Sequence, residues 1–199
     1  MLTEKDVSDL TLSGEFEKVC SLFDRFGSCN AGIVENPVAD NIQHPDVQAL
    51  WEMYRDLKRK HERPPRRAFD IIDFPRLAGN LHVLAFEEGL AMKFLIFGTA
   101  VADRYGSDRT GEYLPLEGDN LVVVFHGLFL ASAASSNVYH TTHAPPEGAP
   151  VKDCQRLILP FFNEEGEFTR MLVSHLPYSA HLGSVARPAW RAKSGPPWR

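Results

Sequence analysis

Cysteine is scarce in this chain. Cys20, Cys29 and Cys154 are odd in number and stand in no metal-ligating spacing, which points to free thiols in a reducing compartment and away from a disulfide framework. Long apolar runs are missing as well. The nearest, Leu121 to Ala134, is interrupted by His126 and Gly127 and falls short of the roughly 20 residues that a membrane-spanning helix needs. The opening MLTEKDVSDL has no charged-then-apolar secretion pattern, so a cytoplasmic protein without a membrane is expected. Positive charge is not in excess. The formal net charge is -5, so no global basic field draws nucleic acid.

Chemical signatures are thin. There is no Gly-x-Ser-x-Gly, no Cys-x-x-Cys and no His-x-x-x-His, which removes the usual marks of a serine hydrolase or a structural metal site. Gly106-x-x-x-x-Gly111 is followed by Glu112-Tyr113, where a phosphate loop requires Lys and Ser or Thr. The carboxylate pairs Glu87-Glu88 and Glu164-Glu165 fall in turns, where water keeps them from becoming a tuned acid–base couple. No enzyme is expected.

The eight histidines leave two questions open. His140 and His143 are three apart, which on a strand puts them on opposite faces, so they do not share an ion. His126 sits in an apolar helix as a core histidine would. A haem group, were one to bind, would call on His126 or His140. A small histidine-using α+β enzyme would require a polar, convergent pocket.

Apolar residues make up 44% of the 199 residues and charged residues 24%, enough for a sizeable core. Residues 1–44 carry eight acids against three bases, and the rest of the chain is balanced. Thr3-Glu4-Lys5-Asp6 reads as a helix-starting capping box. Phe16, Val19, Cys20, Phe23 and Phe26 recur at helical spacing before Gly27, a stop signal. Residues 28–44 show no period and read as a linker.

Pro45 then opens a helix with Val47, Leu50, Trp51, Tyr54 and Leu57 on one face, and Lys58-Arg59-Lys60 at its end suits the helix dipole. The basic stretch Arg63, Arg66, Arg67 has no interleaved stacking aromatics for nucleic acid.

Beyond Pro75 the period changes. Leu81–Phe86 and Met92–Phe97 read as two strands around a Glu87-Glu88-Gly89 turn, apolar on both faces and hence covered on both. Leu121, Val124, Phe125, Leu128 and Phe129 mark a helix that is apolar all round and therefore buried. Val138–Thr142, Leu157–Phe161 and Phe168–His175 supply three more strands, the last two joined at Asn163-Glu164-Glu165-Gly166. Residues 177–199 form a basic, proline-containing tail in which little order is expected.

In this order the residues resemble a bacterial PAS-like family, mostly alphaproteobacterial, of standalone domains with unassigned ligand. The likeness rests on Leu50-Trp51-x-x-Tyr54-Arg55-x-Leu57, Arg63-Pro64-Pro65-Arg66-Arg67 and Asp73-Phe74-Pro75-Arg76-Leu77. It continues in Phe94-Leu95-Ile96-Phe97-Gly98-Thr99-Ala100, Tyr105-Gly106-Ser107-Asp108-Arg109-Thr110-Gly111 and Arg156-Leu157-Ile158-Leu159-Pro160-Phe161. One departure is Leu95, where relatives often carry arginine.

The resemblance implies an α+β fold: a PAS-like five-stranded antiparallel sheet with helices on one face. Here a helical N-terminal extension (1–44), the domain (45–176) and the tail (177–199) would follow one another. It also implies a sensory or regulatory role, with a ligand held between the sheet and the longer helix. Phe94, Ile96, Phe125, Leu128, Leu159, Phe161, Met171 and Val173 are the apolar candidates to line that space, and a true cavity would need small or polar residues among them. The helices at 14–26 and 45–61 are expected to pair two copies into a homodimer or to meet another protein. A ligand-free interaction module is the alternative.

Overall fold

In the computed structural model, residues 2–87, 91–114 and 120–177 are described. The fold is α+β, built on one sheet whose neighbouring strands all run antiparallel. Its strands are β1 (Cys29–Glu35), β2 (Leu81–Phe86), β3 (Met92–Phe97), β4 (Tyr113–Leu114), β5 (Tyr139–Ala144), β6 (Cys154–Phe162) and β7 (Phe168–Pro177). They lie in the order β1-β5-β6-β7-β2-β3-β4, seven strands instead of the five expected. The two additions are the edges. β4 is only two residues long. β1 occupies the segment read as a linker; its pairing with β5 is irregular between Cys29 and Gly32, where Asn30 has positive φ, so its alternation is interrupted.

Helices cover both faces of the sheet, not one. α1 (Glu4–Leu12), α2 (Phe16–Arg25), α4 (Thr99–Tyr105) and α5 (Asn120–Ser135) lie on one side, and α3 (Pro45–Lys60) lies on the other. Their ends follow the local signals. Asp6 N–H donates to Thr3 Oγ1 at 3.2 Å and Thr3 N–H donates to Asp6 Oδ2 at 2.9 Å, the capping box read from the sequence. Gly27, at φ +80°, stops α2. Pro45 stands at the start of α3, and the Asp46 N–H donates to His44 Nδ1.

The apolar faces of α2 and α3, which motivated the homodimer expectation, are used within the chain. Val19 and Phe23 of α2 join the core under α5. Val47, Leu50, Trp51 and Tyr54 of α3 pack on the sheet, where the Tyr54 hydroxyl donates to the Pro160 carbonyl at 2.5 Å. α5 is buried as its all-round apolarity requires. At Gly127 it meets α1 so closely that an added Cβ would collide with Val7 and stand 2.7 Å from the Glu4 carbonyl oxygen.

The sheet therefore separates two cores. One, toward α3, holds Leu81, Val83, Leu157, Leu159, Phe161, Leu172 and Leu176. The other, toward α5, holds Leu84, Phe94, Phe125, Leu128, Ile158, Met171 and Val173. The 88–90 turn and the 177–199 tail expected from the sequence lie, apart from Pro177, outside the described residues.

Candidate functional site

A cavity of about 1210 Å³ opens between the sheet and the helices α4 and α5. Its apolar wall comes from Leu84, Phe94, Phe97 and Val173 of the sheet and from Leu121, Phe125 and Phe129 of α5. Its floor is polar: His82, His143, Arg156 and His175 reach it from four neighbouring strands, and Tyr105 reaches it from the end of α4.

Strand register explains the convergence. Arg156 and His175 are directly opposed across β6 and β7, and directly opposed residues share a face. His143 is opposite Cys154, two residues along β6 from Arg156, and His82 is opposite Val173, two residues along β7 from His175. All therefore project to the α5 side.

The contacts form a continuous cluster. His82 Nε2 lies 3.4 Å from His175 Nδ1. Arg156 Nη2 lies 3.1 Å from His175 Nε2, and Arg156 Nη1 lies 3.4 Å from both ring nitrogens of His143. The Tyr105 hydroxyl is 3.4 Å from His175 Nε2 and 3.6 Å from Cys154 Sγ. The Arg156 guanidinium stacks over Phe125 at 3.8 Å from the ring centroid, which fixes its plane. A second buried cation, Arg104, stands behind the floor and donates to Asn80 Oδ1 at 2.8 Å and to the His175 carbonyl at 2.9 Å.

Burial and these cations set the protonation of the floor. Burial, with Arg156 and Arg104 adding to it, pushes His82 down to about 3. The same causes, burial first, carry His175 well below the ordinary histidine range. Burial and then Arg156 lower His143. All three imidazoles are neutral at physiological pH. Burial raises the Tyr105 phenol, which stays protonated as a donor.

The sequence candidates divide. Phe94, Phe125 and Val173 line the cavity. Leu128 and Met171 lie in the same core, fully buried. Leu159 and Phe161 are on the far face, against α3. The pairing Leu159↔Leu172 beside Ile158↔Val173 shows why: on β6 the residues that share a face with Met171 and Val173 are Pro160 and Ile158.

Ile96 is also displaced. Val83 pairs with Ile96 and Leu84 with Phe94, so Leu95 is an extra residue in β3. That bulge flips the alternation, sends Phe97 to the cavity and leaves Leu95 and Ile96 40% and 39% exposed.

The polar floor was missed by a search confined to apolar positions. Its signal was nonetheless present: His82, Arg156 and His175 interrupt stretches that are otherwise buried and largely apolar. His126 and His140, the residues considered for haem, do not line the cavity; His140 points to the other face and lies 3.4 Å from Gln155 Oε1. Among the described residues no group of three or more His, Cys, Asp or Glu is placed to hold a metal ion, and no helix is long and apolar enough to cross a membrane. No protein-family model, no curated protein and no solved structure matches the chain.

Proposed function

We propose that this chain is a PAS-like sensory or regulatory module that binds a small ligand between its sheet and α5 and passes on the bound state through protein contacts. The observation that carries this reading is the cavity of about 1210 Å³, walled by apolar side chains and floored by a converging polar cluster. Ligand sites characteristically combine an apolar enclosure with a few placed polar groups. The topology supports the PAS-like part of the reading. With the two edge strands β1 and β4 set aside, β5-β6-β7-β2-β3 remain as five contiguous antiparallel strands. The longest helix on the cavity side, α5, forms the opposite wall.

Convergent histidines also suit a small enzyme, and the chemistry argues for binding. A general base works best when its pKa lies near the working pH. His82, at about 3, is too weak a base by several units, and His175 and His143 are lowered for the same reasons. The floor is a cluster of neutral imidazoles, a guanidinium and a phenol, apt for holding the polar head of a ligand and poorly suited to taking a proton near neutral pH.

Native mass spectrometry of the purified full chain tests the reading. The expected result is a species heavier than the 22.3 kDa chain by the mass of a small molecule that is released unaltered on denaturation. A bare chain that also shows no thermal shift across a metabolite panel would count against it.

A further inference from the structure

Aromatic rings are concentrated on both walls of the cavity. Five of the chain's 13 phenylalanines line it: Phe26, Phe94, Phe97, Phe125 and Phe129. On the sheet side the bulge at Leu95 puts Phe97 beside Phe94, and Phe97 pairs across to His82 of β2. These three rings brace one another. Phe94 and Phe97 stand nearly at right angles, at 85° with centroids 5.2 Å apart. His82 lies 4.3 Å from Phe97 at 32° and 5.7 Å from Phe94 at 69°. On the helix side Phe125 meets Phe23 edge to face at 5.5 Å and the tilted His143 ring at 5.6 Å.

Rings braced in this way make walls that keep their shape. A phenylalanine turns about few side-chain bonds, and here each turn is opposed by a neighbouring ring. Methionine, the side chain that adapts most readily to an irregular ligand, does not occur among the described lining residues. A right-angled corner of two rings suits a third ring, which lies along one face and meets the other ring by its edge. Both geometries attract beyond the burial of area. A saturated body gains the burial alone. We infer that the cavity takes a ligand with a flat aromatic ring system, seated in the corner of Phe94 and Phe97 and facing Phe125 and Phe129 of α5.

The size of the space agrees with this class. A volume of about 1210 Å³ exceeds the roughly 300–1,000 Å³ of most small-molecule pockets. It leaves room for fused rings together with a polar substituent directed at the imidazole floor. The inference rests on the ligand-binding reading above and adds the chemistry of the ligand's body.

Isothermal titration of the full chain with 2-(2-naphthyl)ethanol and its decahydro counterpart tests this. The two share a carbon skeleton and a hydroxyl, and the saturated one is the more hydrophobic. Burial alone therefore favours the decahydro compound. The ring corner favours the naphthyl compound, which is expected to bind about fivefold more tightly, with its ring protons moved upfield in the complex. Phe94→Leu and Phe97→Leu should each abolish that preference and leave the affinity of the decahydro compound unchanged. Phe97 is the less buried of the two, so Phe97→Leu carries the test if Phe94→Leu does not fold. Equal or tighter binding of the decahydro compound to the unaltered chain overturns the aromatic inference and leaves the ligand-binding reading standing. A naphthyl preference that survives Phe97→Leu overturns it too, because the ring then sits elsewhere. Binding of neither probe overturns the inference, and an empty native mass spectrum alongside it removes the reading as well.

Discussion

The two faces of the sheet are built from the same strands and do different things. Toward α3 the interior is packed with apolar side chains: Leu157, Leu159, Phe161 and Leu172 join Leu50, Trp51 and Tyr54 in one core. Toward α5 the same strands present Arg156, Ile158, Val173 and His175, and a cavity remains. Because successive side chains on a strand alternate in direction, one strand can serve a filled core and a receptive chamber at once. The face against α3 supplies rigidity. The face against α5 accepts buried cations, Arg104 and Arg156, that a filled apolar core would exclude.

The largest effect is expected from truncating leucines on each face. Leu159 and Leu84 are both fully buried, but only Leu84 borders the cavity. Leu159→Ala should cost about 2–5 kcal/mol of unfolding free energy, as tightly packed leucines do. Leu84→Ala should cost roughly half as much, since part of its surroundings is already empty. Urea denaturation measures both, and equal losses would erase the distinction between the faces.

Next in size is Gly127→Ala. The added methyl has no room against Val7 and the Glu4 carbonyl, so overpacking should cost about 1–3 kcal/mol. α1 should then become sensitive to limited proteolysis while α3 stays protected. Cleavage unchanged from the parent chain would show that α1 seats elsewhere on α5.

Acid should act through the cavity face. His82 is held down at about 3 in the fold, against an ordinary value of 6.5 when unfolded. Its neutral form in the native state means that the unfolded chain binds the extra proton. Stability is thus complete above pH 6.5 and declines as pH falls from 6.5 toward 3, by about 1.4 kcal/mol per pH unit for this one group. His175 and His143 add to the same trend. Thermal melts of the parent and of His82→Gln should converge as pH is lowered, and parallel curves would argue that His82 is not neutral in the fold.

The smallest effect concerns the face against α3. Tyr54→Phe removes the bond to the Pro160 carbonyl and should cost about 1 kcal/mol, with no change in the affinity of any cavity ligand.

Most elements could be read from the sequence because their signals are local: the Thr3 cap, Pro45 at a helix start, Gly27 at a helix end and the uninterrupted apolarity of α5. The site could be read less well, for a physical reason. β2 and β6 are rich in buried apolar residues on both faces, and β3 is largely apolar although only Met92 and Phe94 are buried, so periodicity does not say which way a residue points. Only the partner strand settles direction. Thus Leu159 and Phe161 were grouped with Met171 and Val173, which the pairing places across the sheet from them. The seventh strand failed differently. β1 is mixed in polarity and glycine-bearing, and it holds its place by pairing with β5 and through Asn36 and Asn137 side chains, contacts between residues about a hundred positions apart.

The extra residue at Leu95 has a consequence for how such a chamber can diversify. Substitutions alter a wall one side chain at a time. A bulge works differently: with regular pairing onward from Phe94, Ile96 would stand opposite His82 on the chamber side in place of Phe97, and the hydrogen-bonded frame of β2 and β7 would stay as it is. The strand behaves as a two-position dial, in which the presence or absence of the bulge selects Phe97 or Ile96 for the chamber lining on the same scaffold.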